Sequence, residues 1–197
     1  MTKEKTKIQS IIEGPSLGYT DNYPKREMWR EIAKEFNGEF KIKHNSGNEF
    51  EIHNISIPYK KWNIEISVSD PRPLKFQMYF SASQDFELIL SWEDFIERFI
   101  KKFRKPEIEL GWKNFDDRYL IKSNRSDLVK KIITKEIQTS ILKHNIYSMS
   151  YLTDSKLRTA ELISVIQRKA DNKEMMIELI EMYQLLIDNL EKSRIIK

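Results

Sequence analysis

Between Phe40 and about Leu90 the chain alternates apolar and polar residues, and no other feature constrains its fold as tightly. Trp62, Ile64, Ile66 and Val68 are separated by Asn63, Glu65 and Ser67, and Leu74, Phe76, Met78 and Phe80 by Lys75, Gln77 and Tyr79. A period of two puts successive side chains on opposite faces of a strand, so these segments predict an antiparallel sheet with one dry and one wet face.

The same pattern predicts registers. Pairing Val68 with Leu74 sets Ile66 opposite Phe76, Ile64 opposite Met78 and Trp62 opposite Phe80, with Ser69–Pro73 as the turn. For the preceding hairpin, Phe40 opposite Ile52 and Ile42 opposite Phe50 leave Asn45-Ser46-Gly47 as a three-residue loop. Phe86–Leu90 reads as a further strand, with a helix starting at Ser91, bearing Phe95, Ile96, Phe99, Ile100 and Phe103, and ending before Pro106. A strand is expected near Arg118–Lys122, helices over Ser126–Lys143, and a hairpin of Tyr147–Tyr151 with Leu157–Ile166.

Helices frame these strands. Met28, Trp29, Ile32, Ala33 and Phe36 form an apolar stripe behind Pro24, stopped at Asn37-Gly38. A last helix from about Asn172 to Ser193 carries Met176, Leu179, Ile180, Tyr183, Leu186, Ile187 and Leu190. The fold class is therefore α+β: a curved antiparallel sheet packed on one face by helices, with a long C-terminal helix. Residues 1–20 are expected to be poorly ordered and 21–197 to form one α+β domain.

Composition limits the chemistry. The 197 residues include no Cys, which removes disulfides and thiolate zinc sites and fits a reducing, cytoplasmic setting. No apolar run approaches the roughly 20 residues of a membrane-spanning helix, so no membrane insertion is expected. The 34 basic and 30 acidic residues are scattered, for a net charge of +4, which argues against nucleic acid.

Each candidate site has an ordinary competitor. The five glycines lie outside any phosphate-cradling context. In the register above, His44 shares the face of Phe40 while His53 lies across from Glu39, so the two cannot share a metal, and His144 suits a helix end. No metal and no cofactor is expected. Glu39-Phe40-Lys41 matches a strand-borne Glu-x-Lys nuclease motif, and Asp116-Asp117 offers a second carboxylate set; together they carry the alternative of a metal-dependent hydrolase or nuclease. A nucleic-acid-binding accessory role rests on Tyr59-Lys60-Lys61-Trp62 and Lys101–Lys105. The candidate ligand surface is the wet sheet face, with Glu51, His53, Glu65, Lys75, Gln77 and Tyr79. Met175, Met182 and Leu185 widen the apolar face of the last helix, which fits either deep burial or a face for a partner protein or a second copy.

Gly111, Phe115, Asp116, Asp117, Tyr119, Ile121, Ser123 and Asn124 form a run. It resembles a signature of uncharacterised bacterial proteins: a glycine, then Phe-Asp-x-x-aromatic-x-Ile/Val-x-Ser-Asn/Asp. Many of those proteins carry membrane segments. The resemblance implies a short helix, a hairpin and a long last helix downstream, and no activity. Phe115 and Tyr119 read as packing aromatics, and the Asp and Ser-Asn pairs as turn caps. The most direct reading is a non-enzymatic binding or protein-interaction module.

Overall fold

A computed structural model describes residues 23–47, 50–69, 71–92, 107–167 and 172–197. Eight strands form an open, wholly antiparallel sheet: β1 (Glu39–His44), β2 (Glu51–Tyr59), β3 (Trp62–Ser69), β4 (Arg72–Ser81), β5 (Leu88–Trp92), β6 (Tyr119–Ser123), β7 (Ile146–Asp154) and β8 (Thr159–Ile166). Their order is β1-β2-β3-β4-β8-β7-β5-β6. The helices among the described residues are α1 (Tyr23–Glu35), α2 (Lys113–Asp116), α3 (Ser126–Ile132), α4 (Lys135–His144) and α5 (Lys173–Lys192). The proposed disorder of residues 1–20 and the helix bearing Phe95 to Phe103 lie outside the described residues.

The alternation works as expected in the middle of the sheet. Ile64, Ile66, Leu74, Phe76 and Met78 are all essentially inaccessible, and Ile66 pairs with Phe76. The register shifts between Ser67 and Ser69, so Ser69 pairs with Arg72. The strands therefore run further into the turn than the Ser69–Pro73 loop expected from sequence. An extra residue in one strand of a pair makes such a bulge.

The first hairpin corrects the expected register. Phe40 pairs with Ile55, Ile42 with His53 and His44 with Glu51. This is a slip of three residues, and an odd slip turns every side chain of β2 to the other face. Asn45 closes the longer loop, its Oδ1 accepting from the Phe50 amide at 3.2 Å. At the end of α1, Asn37 and not Gly38 takes the left-handed conformation, with φ 53°. Gly38 answers a different need: a Cβ there would lie 2.6 Å from the Ser56 carbonyl oxygen. Ser91 also departs from expectation, continuing β5 to Trp92 instead of opening a helix.

α5 crosses the dry face. Asn172 caps it, accepting from the Met175 amide at 2.7 Å, as the preference for Asn at this position predicts. Its Tyr183 ring stacks on Phe76 of β4 with centroids 4.3 Å apart. Met175 and Met182 are buried and Leu185 half-buried against the core, so most of the width of this helix serves packing. At the other end Lys60, in the β2–β3 turn, reaches Asp188 at 2.7 Å and Glu191 at 2.6 Å.

Candidate functional site

The corrected register divides the six wet-face candidates. Glu51 and His53 lie on the dry face beneath α1, each 5% exposed. Arg26 of α1 reaches down to them: its guanidinium grips both oxygens of Glu51, with Nε 3.1 Å from Oε2. His53 Nε2 lies 3.1 Å from the same Oε2. An ionised carboxylate only accepts, so the imidazole donates. Burial pushes the Glu51 carboxyl up, yet Arg26 and His53 together hold it below its ordinary value. Burial lowers His53 despite Glu51, helped by Arg26 and Lys25. The ring is therefore neutral near pH 7, edge-on to Trp29 and Phe40. His44 shares this face as well, so the separation of His44 from His53 expected from sequence does not hold. Among the described residues no three His, Cys, Asp or Glu side chains converge as metal ligands.

Glu65, Lys75, Gln77 and Tyr79 do share the open face. Ser56 donates to Glu65 at 2.6 Å, and Lys75 donates to the Gln77 carbonyl at 2.7 Å. The Gln77 amide donates to Tyr79 Oη and to Glu161 of β8. Glu161 is missing from the sequence-derived set because nothing in the sequence pairs β4 with β8. Tyr79, Glu161 and Leu152 form one cross-strand row over β4, β8 and β7. Beside it lies a hollow of about 720 Å³ lined by Thr159 and Glu161 of β8 and by the β7–β8 turn, including Asp154 and Lys156. Among the described residues the exposed large apolar side chains are Tyr79 (60%), Leu152 (36%) and Leu157 (71%). The first two line the hollow, and Leu157 sits on the turn that walls it.

The nuclease-like and signature residues have scaffold partners. Glu39 and Lys41 pair with each other at 2.8 Å on the exposed edge strand. Asp116 accepts from the Leu110 and Gly111 amides at 2.9 and 2.8 Å, holding Gly111 at φ 90°. Asp117 is exposed at the end of α2. Phe115 stacks on Tyr119 with centroids 4.9 Å apart, and the buried Tyr119 hydroxyl donates to the Ile146 carbonyl at 2.9 Å. Ile121 is fully buried. Ser123 donates to the Glu87 carbonyl, and Asn124 Oδ1 accepts from the Glu87 amide at 2.8 Å. The run is a clasp that fixes β6 to β5 and to the start of β7.

Fold and surface together define an α+β protein with an open antiparallel sheet, helices on one face and a polar, partly aromatic surface on the other. No protein-family profile matches the sequence, and no curated protein matches it. Among solved structures it is similar to the mycobacterial trehalose monomycolate transport factor A, TtfA, with a TM-score of 0.52. The likeness covers 87% of this chain and 96% of that one at 9% sequence identity, and it shows the fold alone. Among the described residues no helix is long and apolar enough to cross a membrane.

Proposed function

We propose that this chain is a non-enzymatic interaction module whose partner-binding surface is the open sheet face around Tyr79. One observation carries the reading: exposed Tyr79 and Leu152 line one hollow at the end of the open face among polar groups, with exposed Leu157 on the turn that borders it. Clustered exposed apolar groups with a polar rim mark interaction surfaces, whereas the same residues scattered singly mean nothing. The scaffold duties of Glu39, Glu51, His53 and Asp116 support a binding role over a catalytic one. The fold is also that of a protein titled a transport factor. The cysteine-free sequence supports a reducing, cytoplasmic setting.

The test places a photo-crosslinking benzoylphenylalanine at position 79 in living cells, with a second copy of the experiment carrying it at exposed Glu174. The expected result is a discrete adduct from position 79 alone, lost in a Leu152→Asp, Leu157→Asp background that melts at the same temperature. An adduct indifferent to those substitutions, or none from position 79, overturns the reading.

A further inference from the structure

We propose that the edge strand β1 pairs with β1 of a second copy of this chain, antiparallel and in one register centred on Phe40. β1 ends the sheet: β2 is its neighbour on one side and, among the described residues, no strand adjoins the other. The Asn45 amide donates to the Phe50 carbonyl at 3.3 Å, and these two residues continue the β1–β2 register. Hydrogen-bonded pairs alternate along an antiparallel ladder. Lys43, Lys41 and Glu39 therefore turn their main-chain groups toward β2, and Ile42 and Phe40 turn theirs outward. An outward row of donors and acceptors is a template for another strand.

The side chains name the occupant. Lysine on an edge ordinarily deters pairing, but Lys41 is matched within its own strand, its Nζ 2.8 Å from Glu39 Oε2 with both side chains exposed. The order Glu39-Phe40-Lys41 becomes its own complement when the strand is turned end for end about Phe40. Glu39 then faces Lys41 of the second copy and Lys41 faces its Glu39, closing a ring of four alternating charges. These are the non-hydrogen-bonded pairs of the new ladder, with Cα atoms about 4.5 Å apart and side chains at their closest. On the dry face the half-buried Phe40 rings meet each other, and Ile42 comes opposite Gly38, which presents no side chain. A slip of two residues sets Lys41 against Lys41 in one direction and Glu39 against Glu39 in the other, so charge admits this register and opposes its neighbours. Each copy makes the same contact with the other, which closes the assembly at two.

The experiment is sedimentation of the intact protein from about 1 µM to about 1 mM. A reversible dimer is expected. Glu39→Lys alone, or Lys41→Glu alone, is expected to weaken self-association by about tenfold or more, with an unchanged thermal melt because both positions are exposed. The two single variants mixed together are expected to associate with each other. The exchange Glu39→Lys, Lys41→Glu is expected to restore the homodimer, since the ring closes again with its signs swapped. Tyr79→Ala is expected to leave the dimer unaltered, which separates this edge from the open sheet face. A monomer over the whole range, or a dimer that neither single variant weakens by more than about twofold, overturns the proposal. So does a loss on single reversal that neither mixing nor the exchange repairs, because the charges are then not paired across the two copies.

Discussion

Arg26 of α1 and Glu51 of β2, 25 residues apart, form a buried ion pair that fastens the first helix to the sheet. Two charges taken from water repel burial unless each is fully partnered. Here both carboxylate oxygens meet the guanidinium, and one also meets His53.

Breaking the pair from one side therefore strands a charge. Glu51→Ala or Arg26→Ala is expected to lower the unfolding free energy by about 3–5 kcal/mol, read from urea denaturation. The double variant Arg26→Met, Glu51→Leu is expected to recover most of that loss. A Glu51→Ala protein as stable as the parent would remove the pair from the account of α1 docking.

Acid should loosen the same contact. His53 and Glu51 both titrate below their ordinary values of 6.5 and 4.5 in the folded state. The unfolded chain therefore binds protons that the folded one refuses, and stability rises with pH wherever that holds. Stability is expected to be fully present above about pH 7 and to decline as pH falls through 6.5 and then 4.5. His53→Gln is expected to flatten the upper part of the decline. Denaturation midpoints across that range check it, and a rise in stability between pH 7 and 5 contradicts it.

The clasp at Gly111–Asp116 separates a scaffold carboxylate from a catalytic one. Asp116→Ala orphans two backbone amides and is expected to cost about 1–3 kcal/mol. Asp117→Ala, at an exposed helix end, is expected to stay within about 0.5 kcal/mol of the parent. Equal effects at the two positions would contradict the hydrogen-bond assignment.

Gly38 is required by space. A methyl group there meets the Ser56 carbonyl at 2.6 Å and the Ile57 side chain at 3.1 Å. Both belong to β2, so Gly38→Ala is expected to push α1 and the entry to β1 off the sheet and to cost about 1–3 kcal/mol. Thermal melts against Asn37→Ala, which probes the left-handed residue instead, distinguish crowding from backbone strain.

Legibility in the sequence followed how consistently each segment obeyed one rule. In β3 and β4 every apolar residue from Ile64 to Ile66 and Leu74 to Met78 agrees in parity, and the Ile66–Phe76 pairing followed directly. In β2 the rule conflicts with itself: Phe50 and Ile52 argue for one face, Ile55 and Ile57 for the other. The structure sides with Ile55 and Ile57, because Arg26 makes it possible to bury Glu51 and His53. No alternation pattern contains that partner. Of the open-face candidates, Glu65, Lys75, Gln77 and Tyr79 were readable from parity, but Glu161 and Leu152 were not.

The sequence alone determined the fold class, the central hairpin and the approximate bounds of the last helix, because those depend on neighbours within a few positions. Tertiary structure decided that β8 inserts beside β4 and that β5 lies between β7 and β6. It decided as well that Glu51 and His53 face inward and that Leu152 and Glu161 join Tyr79. Those outcomes depend on partners dozens of residues away, where periodicity specifies which side chains seek burial and leaves open what they are buried against.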